Sequence, residues 1–209
     1  MYEDSSMAVP ELATVEVHGM TRSAFMLRGA LAAGAVYGAS TVAPFVSSAV
    51  AQSGMGDVDI LNFALTLEYL EADFYAEALK LRLSPGARKL AKLIQGDESQ
   101  HVDALSATVE KVGGTPAPRP TFSFPDTTQA SFLKLAQRLE DTGVSAYNGA
   151  APMIQSKDVL GAAGSVVQVE ARHAAAIRLL NRAEPSPDAF DKAKTKDEVM
   201  AAVKPFIKT

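Results

Sequence analysis

The sequence predicts an all-α protein, an antiparallel four-helix bundle with a long connection between its second and third helices and a short C-terminal helix. Three observations carry this. Apolar residues recur every three or four positions over four separate stretches, the period of amphipathic helices. Proline falls at the ends of those stretches or between them rather than inside them, and Gly113-Gly114 closes the second. The composition, 47% hydrophobic and 21% charged with no Trp, has ordinary globular proportions and is dominated by Ala and Leu, which favours helix over sheet.

The first helix is expected over Asp57 to Leu81, where Ile60, Ala64, Leu67, Leu70, Phe74, Ala78 and Leu81 set the apolar stripe. Ser84-Pro85 then supplies an N-cap followed by proline at the first helical position, and a second helix runs through Leu90, Ile94 and Val102 to Val112, where Gly113-Gly114 stops it. Residues 115–128, TPAPRPTFSFPDTT, hold too many prolines for a helix and are too apolar for a disordered linker, so an ordered crossover is expected. The third helix spans Gln129 to Ala150 and ends before Pro152, and the fourth spans Lys157 to Ala183 before Glu184-Pro185. A short helix closes the chain near Asp197 to Phe206. At ~1.5 Å per residue the long helices reach roughly 33 to 42 Å, enough to bury a site at mid-bundle.

Residues 1–51 read differently from this bundle, which takes 52–209. From Gly29 to Ala51 there is no charge, Arg22 and Arg28 precede the run, and Ala49-Val50-Ala51 closes it. An export signal is expected. Thr21 to Met26 resembles a twin-arginine signal in which Ser23 stands where the second arginine would be. The alternative is an uncleaved anchor, since the run is long enough to span the ~30 Å hydrocarbon layer; only then is a membrane a partner. Met20 is an alternative start. A periplasmic or secreted location follows from the export reading.

Composition also excludes several classes of function. Twenty basic and 24 acidic side chains give a net charge of −4 without a basic stripe, so no nucleic acid partner is expected. With no cysteine, disulfides, thiolate zinc and a cysteine nucleophile are excluded, and any metal must be held by nitrogen and oxygen.

A repeated constellation carries the chemistry. Glu68 is followed seven residues later by Tyr75, and Glu98 three residues later by His101; Glu140 and Tyr147, then Glu170 and His173, repeat both spacings. The glutamates are 30 residues apart in each half (68 to 98, 140 to 170), so one helical hairpin occurs twice, offset by 72 (68 to 140). Residues three apart share a helix face. One Glu from each of the first and third helices, with Glu-x-x-His from each of the second and fourth, therefore brings four carboxylates and two imidazoles inward, a set that suits two divalent ions. Four negative charges offset two M²⁺, so the loaded site can be buried nearly neutral. A lone Glu-x-x-His is ordinarily a solvated pair, but His101 and His173 are the only histidines after residue 51 and hold equivalent places in the repeat. Glu71 is a competing ligand that lies off the repeat, and is expected near the ligands or at the surface. Asp97, Asp103 and Asp141 are expected in solvent. Tyr75 and Tyr147 are expected to hydrogen-bond a carboxylate across the bundle, with a plain core role as the alternative.

These residues are where a family resemblance becomes visible. Glu-x6-Tyr, Glu-x-x-His, Glu-x6-Tyr, Glu-x-x-His resembles the di-iron pattern of rubrerythrins and bacterioferritins. LNFALTLEYLEADFYAEAL, DESQHVDAL and DEVMAAVKPFI resemble the exported ferritin-like proteins grouped with plant desiccation-related and fungal Rds1 proteins, over roughly residues 57–206. The resemblance implies a ferritin-like bundle with a di-iron or dimanganese centre, two ions per chain, on Glu68, Glu98, His101, Glu140, Glu170 and His173. Ligand type alone admits iron, manganese or zinc. An oxidoreductase acting on dioxygen (ferroxidase) or hydrogen peroxide (manganese-catalase-like) in stress protection is one expectation. The others are a structural or stress-binding protein stapled by metal without turnover, and iron storage, which would call for a homo-oligomer.

Overall fold

The computed structural model describes residues 55–125 and 128–208, all within one unit of the chain, residues 47–209. Among these residues are five α-helices: α1 Asp57–Ala78, α2 Pro85–Lys111, α3 Gln129–Ala150, α4 Lys157–Leu180 and α5 Lys196–Val203. The fold is the expected all-α bundle. Its hairpins pair α1 with α2 and α3 with α4, and α5 packs against α3. The export-signal or anchor reading of residues 1–51 falls outside the described residues. Among the described residues no helix is long and apolar enough to cross a membrane.

Local chemistry accounts for where each helix begins and ends. Ser84, Thr128, Ser156 and Thr195 each stand at an N-cap and accept a backbone N–H from the first turn, and Thr128 and Thr195 complete reciprocal capping boxes with Ser131 and Glu198. Helix α2 ends in a left-handed Gly113 (φ 84°), with Gly114 N–H bonded to the Val109 carbonyl at 2.9 Å. Helix α4 uses the same closure with an arginine. Arg182 takes φ 57°, and Ala183 N–H reaches the Arg178 carbonyl at 2.9 Å, so the helix stops at Leu180 rather than at Ala183. Helix α1 stops at Ala78 rather than Leu81, because the chain turns there and the Arg88 guanidinium takes the carbonyls of Leu79 and Leu81 at 2.9 and 2.7 Å. After α5 the chain tightens into a 3₁₀ turn over Lys204–Phe206, which contains Pro205.

The described part of the crossover, residues 115–125, is tied to the bundle, as its composition suggests. Asn62 on α1 grips it by donating to the Thr115 carbonyl (3.0 Å) and accepting from Ala117 N–H (2.7 Å). Phe124 packs edge-on against Phe74 and beside Phe206, and Phe122 forms a single antiparallel bridge with Ile207. The end of the chain thus covers the crossover.

Beyond α4, residue Lys194 lies directly on α3, its N–H bonded to the Ser145 carbonyl at 3.0 Å. A Cβ at Gly149 would stand 1.9 Å from the Lys194 carbonyl oxygen, a backbone atom that cannot swing aside. Gly149→Ala is therefore expected to destabilise the chain by about 3 kcal/mol, at the upper end of overpacking costs, read as a lowered Tm in thermal melts.

The apolar interior has two parts, and the sequence order along α2 and α4 places a polar layer between them. On α2, Ala91 and Ile94 belong to one cluster and Leu105 and Val109 to the other; on α4, Ile177 belongs to the first and Val159 and Ala163 to the second. Glu98, His101, Glu170 and His173 occupy the positions between.

Candidate metal centre

The structure brings Glu68, Glu98, His101, Glu140, Glu170 and His173 together in that layer, with the four glutamates wholly buried. Two groups of four can each place one ligand atom per residue within 4.8 Å of all the others: Glu68, Glu98, His101 and Glu170, and Glu98, Glu140, Glu170 and His173. Glu98 and Glu170 belong to both. His101 Nδ1 lies 3.2 Å from Glu68, 3.1 Å from Glu98 Oε2 and 3.0 Å from Glu170 Oε1. His173 Nδ1 lies 2.9 Å from Glu98 Oε1 and 3.6 Å from Glu140. One carboxylate of Glu98 therefore faces both imidazoles, one oxygen to each.

The tyrosines connect the two hairpins crosswise. Tyr75 on α1 donates its hydroxyl to Glu140 on α3, and Tyr147 on α3 donates to Glu68 on α1 at 2.5 Å. Burial pushes both phenols well above their ordinary value, and the neighbouring carboxylates add to this, so they remain neutral donors. Each fixes the rotamer of a carboxylate from the other half of the molecule.

Two of the aspartates are placed differently from the sequence expectation, and Glu71 takes the first of its two expected places, near the ligands. Glu71 is not at the surface: only 3% of it is exposed, and one of its oxygens has no hydrogen-bond partner. Asp97 is part-exposed but its carboxylate lies 3.1 Å from His173 Nε2, the nitrogen turned away from the cluster. Asp141 accepts from Arg178 at 2.5 Å rather than facing solvent alone. Asp103 is exposed as expected. Helical phase separates Asp97 from its neighbour Glu98, and that same phase turns it toward α4, a contact visible only once the helices are packed.

The electrostatics are those of clustered acids out of water. Burial raises Glu68 from 4.5 to about 8, and raises Glu71, Glu140 and Glu170. For Glu98 burial acts in the same direction, but contacts from His101 and His173 outweigh it and hold the group at about 2. Burial alone would lower the imidazoles; the surrounding carboxylates instead raise His101 to about 12 and His173 to about 11.

The donor set could hold metal. Glu98 Oε1, Glu140 Oε2, both oxygens of Glu170 and His173 Nδ1 are buried with no partner outside the cluster itself, and all belong to the two groups of four. Buried carboxylate oxygens and imidazole nitrogens converging within a few ångströms are what a cation satisfies. Oxygen and imidazole donors suit iron, manganese or zinc.

Fold and cluster together define the class of molecule, a helical bundle with a candidate metal centre in its core. The chain belongs to the ferritin-like domain family, whose sequence pattern matches residues 56–183, from the start of α1 past the end of α4. Among solved structures it is similar to a conserved hypothetical protein, rv2844, from Mycobacterium tuberculosis, with a TM-score of 0.57 and 19% identity over 62% of this chain and 99% of that one. That likeness is one of fold. No curated protein matches the chain.

Proposed function

We propose that this is an exported ferritin-like protein of the desiccation-related group, periplasmic or secreted, which holds two iron or manganese ions and handles dioxygen or hydrogen peroxide in stress protection. The observation that carries the reading is the sharing of Glu98 and Glu170 between two groups of four residues, which would let two ions be held close together by common ligands. When bound, such a pair supplies Lewis acidity and one-electron chemistry toward a small oxidant. The protein's own residues supply the rest. Tyr75 and Tyr147 hold Glu140 and Glu68 in place. The two apolar clusters exclude water from either end of the layer. A surface depression of about 400 Å³, whose lining includes Asp97, Val169 and Arg172 together with His101 and His173, would give a molecule as small as peroxide a route to the imidazoles.

Metal analysis of protein from its native compartment, paired with absorption spectra before and after peroxide, tests this. About two iron or manganese ions per chain, a spectral response and turnover of peroxide or Fe²⁺ are expected. A loaded protein inert to both oxidants would remove the enzyme. A second reading, a bundle stapled by metal without turnover, is favoured by the cost of burying these carboxylates without a cation; it predicts the same loading and no reaction.

A further inference from the structure

The internal repeat makes departures from symmetry easy to locate, and two of them lie at the centre. The equivalent of Glu71, 72 residues on, is Gly143, and the equivalent of Asp97 is Val169. A Cβ on Gly143 would stand 3.3 Å from Glu71 Oε1 and 3.4 Å from Glu170 Oε2. The glycine thus leaves the room that the Glu71 carboxylate and one oxygen of Glu170 occupy. Glu170 Oε1 is the oxygen beside His101, so Glu71 lies toward the other one, and Gly143 stands one helical turn from Glu140. Glu71 Oε2, buried and unpartnered, is aimed into this region. Asp97 meets the outer nitrogen of His173 at 3.1 Å. No partner of that kind meets the outer nitrogen of His101 among the described residues, and Val169 instead lines the depression beside it.

We propose that the two ion positions are unequal: the one held by Glu140 and His173 is tighter and fills first, because Glu71 and Asp97 serve it and have no counterparts at the position of Glu68 and His101. The inference rests on the dimetal reading. Glu71 adds a fifth carboxylate to the layer beside the shared Glu170. Asp97 fixes the ring of His173 and makes its inner nitrogen a better donor, an effect worth about 10- to 100-fold in affinity at metal sites of this kind.

The test is a calorimetric titration of the full, chelator-stripped chain with Mn²⁺. Two steps separated by at least tenfold are expected. Asp97→Asn and Glu71→Gln should each weaken the tighter step by about 10- to 100-fold while leaving the weaker one in place, so that the steps converge. Val169→Asp, at a part-exposed position, should strengthen the weaker step, and circular dichroism melts confirm that each variant is folded. Two ions bound with one common affinity would overturn the inequality and leave the dimetal reading standing. Unchanged titrations in the folded Asp97 and Glu71 variants would overturn it equally. Failure of the native chain to bind Mn²⁺ or Fe²⁺ at all would remove the dimetal reading, and this inference with it.

Discussion

Glu98→Ala is expected to abolish tight uptake of both ions, with bound metal falling from about two per chain to none after gel filtration. The reason is that Glu98 alone faces both imidazoles, one oxygen to each, and belongs to both groups of four. Its carboxylate stays ionised at any pH above about 2, so it is always available as a shared anion. In the metal-free chain two effects oppose each other. Removing one partner of a buried ion pair costs about 3 to 5 kcal/mol, but Glu98 is also a repulsive neighbour of Glu68, Glu71, Glu140 and Glu170, and its loss relieves them. The sharper readout is therefore the rise in Tm on adding metal, which should vanish. Retention of two tightly held ions by a folded Glu98→Ala chain would overturn the shared-carboxylate arrangement. If a reaction is found in the native protein, it should vanish in parallel; stability lost with no reaction to lose would favour the staple.

The second large effect is in the pH dependence of stability. Glu68, Glu71, Glu140 and Glu170 bind a proton more tightly folded than unfolded, so their contribution is complete below the unfolded value of 4.5 and is lost as pH rises, toward about 8 for Glu68. The histidines act in the same direction. Their contribution is complete below 6.5 and declines above it, toward about 12 for His101 and about 11 for His173. Glu98 runs the other way, but its gain is already complete above 4.5. The metal-free chain should therefore lose stability between pH 5 and pH 8, on the order of 3 to 5 kcal/mol for a group moved as far as Glu68. Metal ions bind the deprotonated ligands and reverse this slope. At a thousandfold excess over Kd, binding adds about 4 kcal/mol, or roughly 10 °C in Tm for a domain of this size. The expected result is a metal-induced rise in Tm that is small at pH 5 and large at pH 8. An equal rise at both values would mean that the ions are held elsewhere.

Much of this architecture is legible before folding, because it is written in local periods. Ser84, Thr128, Ser156 and Thr195 announce helix starts by side-chain chemistry alone, and Gly113 announces an end. The convergence of the six candidate ligands is legible because the hairpin is repeated, so the same pattern can be recognised twice. Arg182 as a left-handed closing residue is not legible, since nothing local favours arginine over glycine there. Nor is Glu71. Its helical phase suits either the site or the surface, and its place beside Gly143, on another helix, is visible only once the helices are packed. Asp97 is hidden for a related reason: its partner His173 is 76 residues away and meets it only through the approach of α2 to α4.

The crossed tyrosines carry a consequence for any fragment of the chain. Residues 55–114 alone would hold Glu68, Glu98 and His101, but the acceptor of the Tyr75 hydroxyl and the donor to Glu68 both lie on α3. Such a hairpin could complete its bonding only by joining a second copy of itself about a two-fold axis. The axis would then carry two copies of Glu71 facing each other, or, for the other hairpin, two copies of Gly143. A glutamate opposite a glycine is a combination that no symmetric pair of identical hairpins can hold. Covalent fusion is thus what frees the two halves of the centre to diverge.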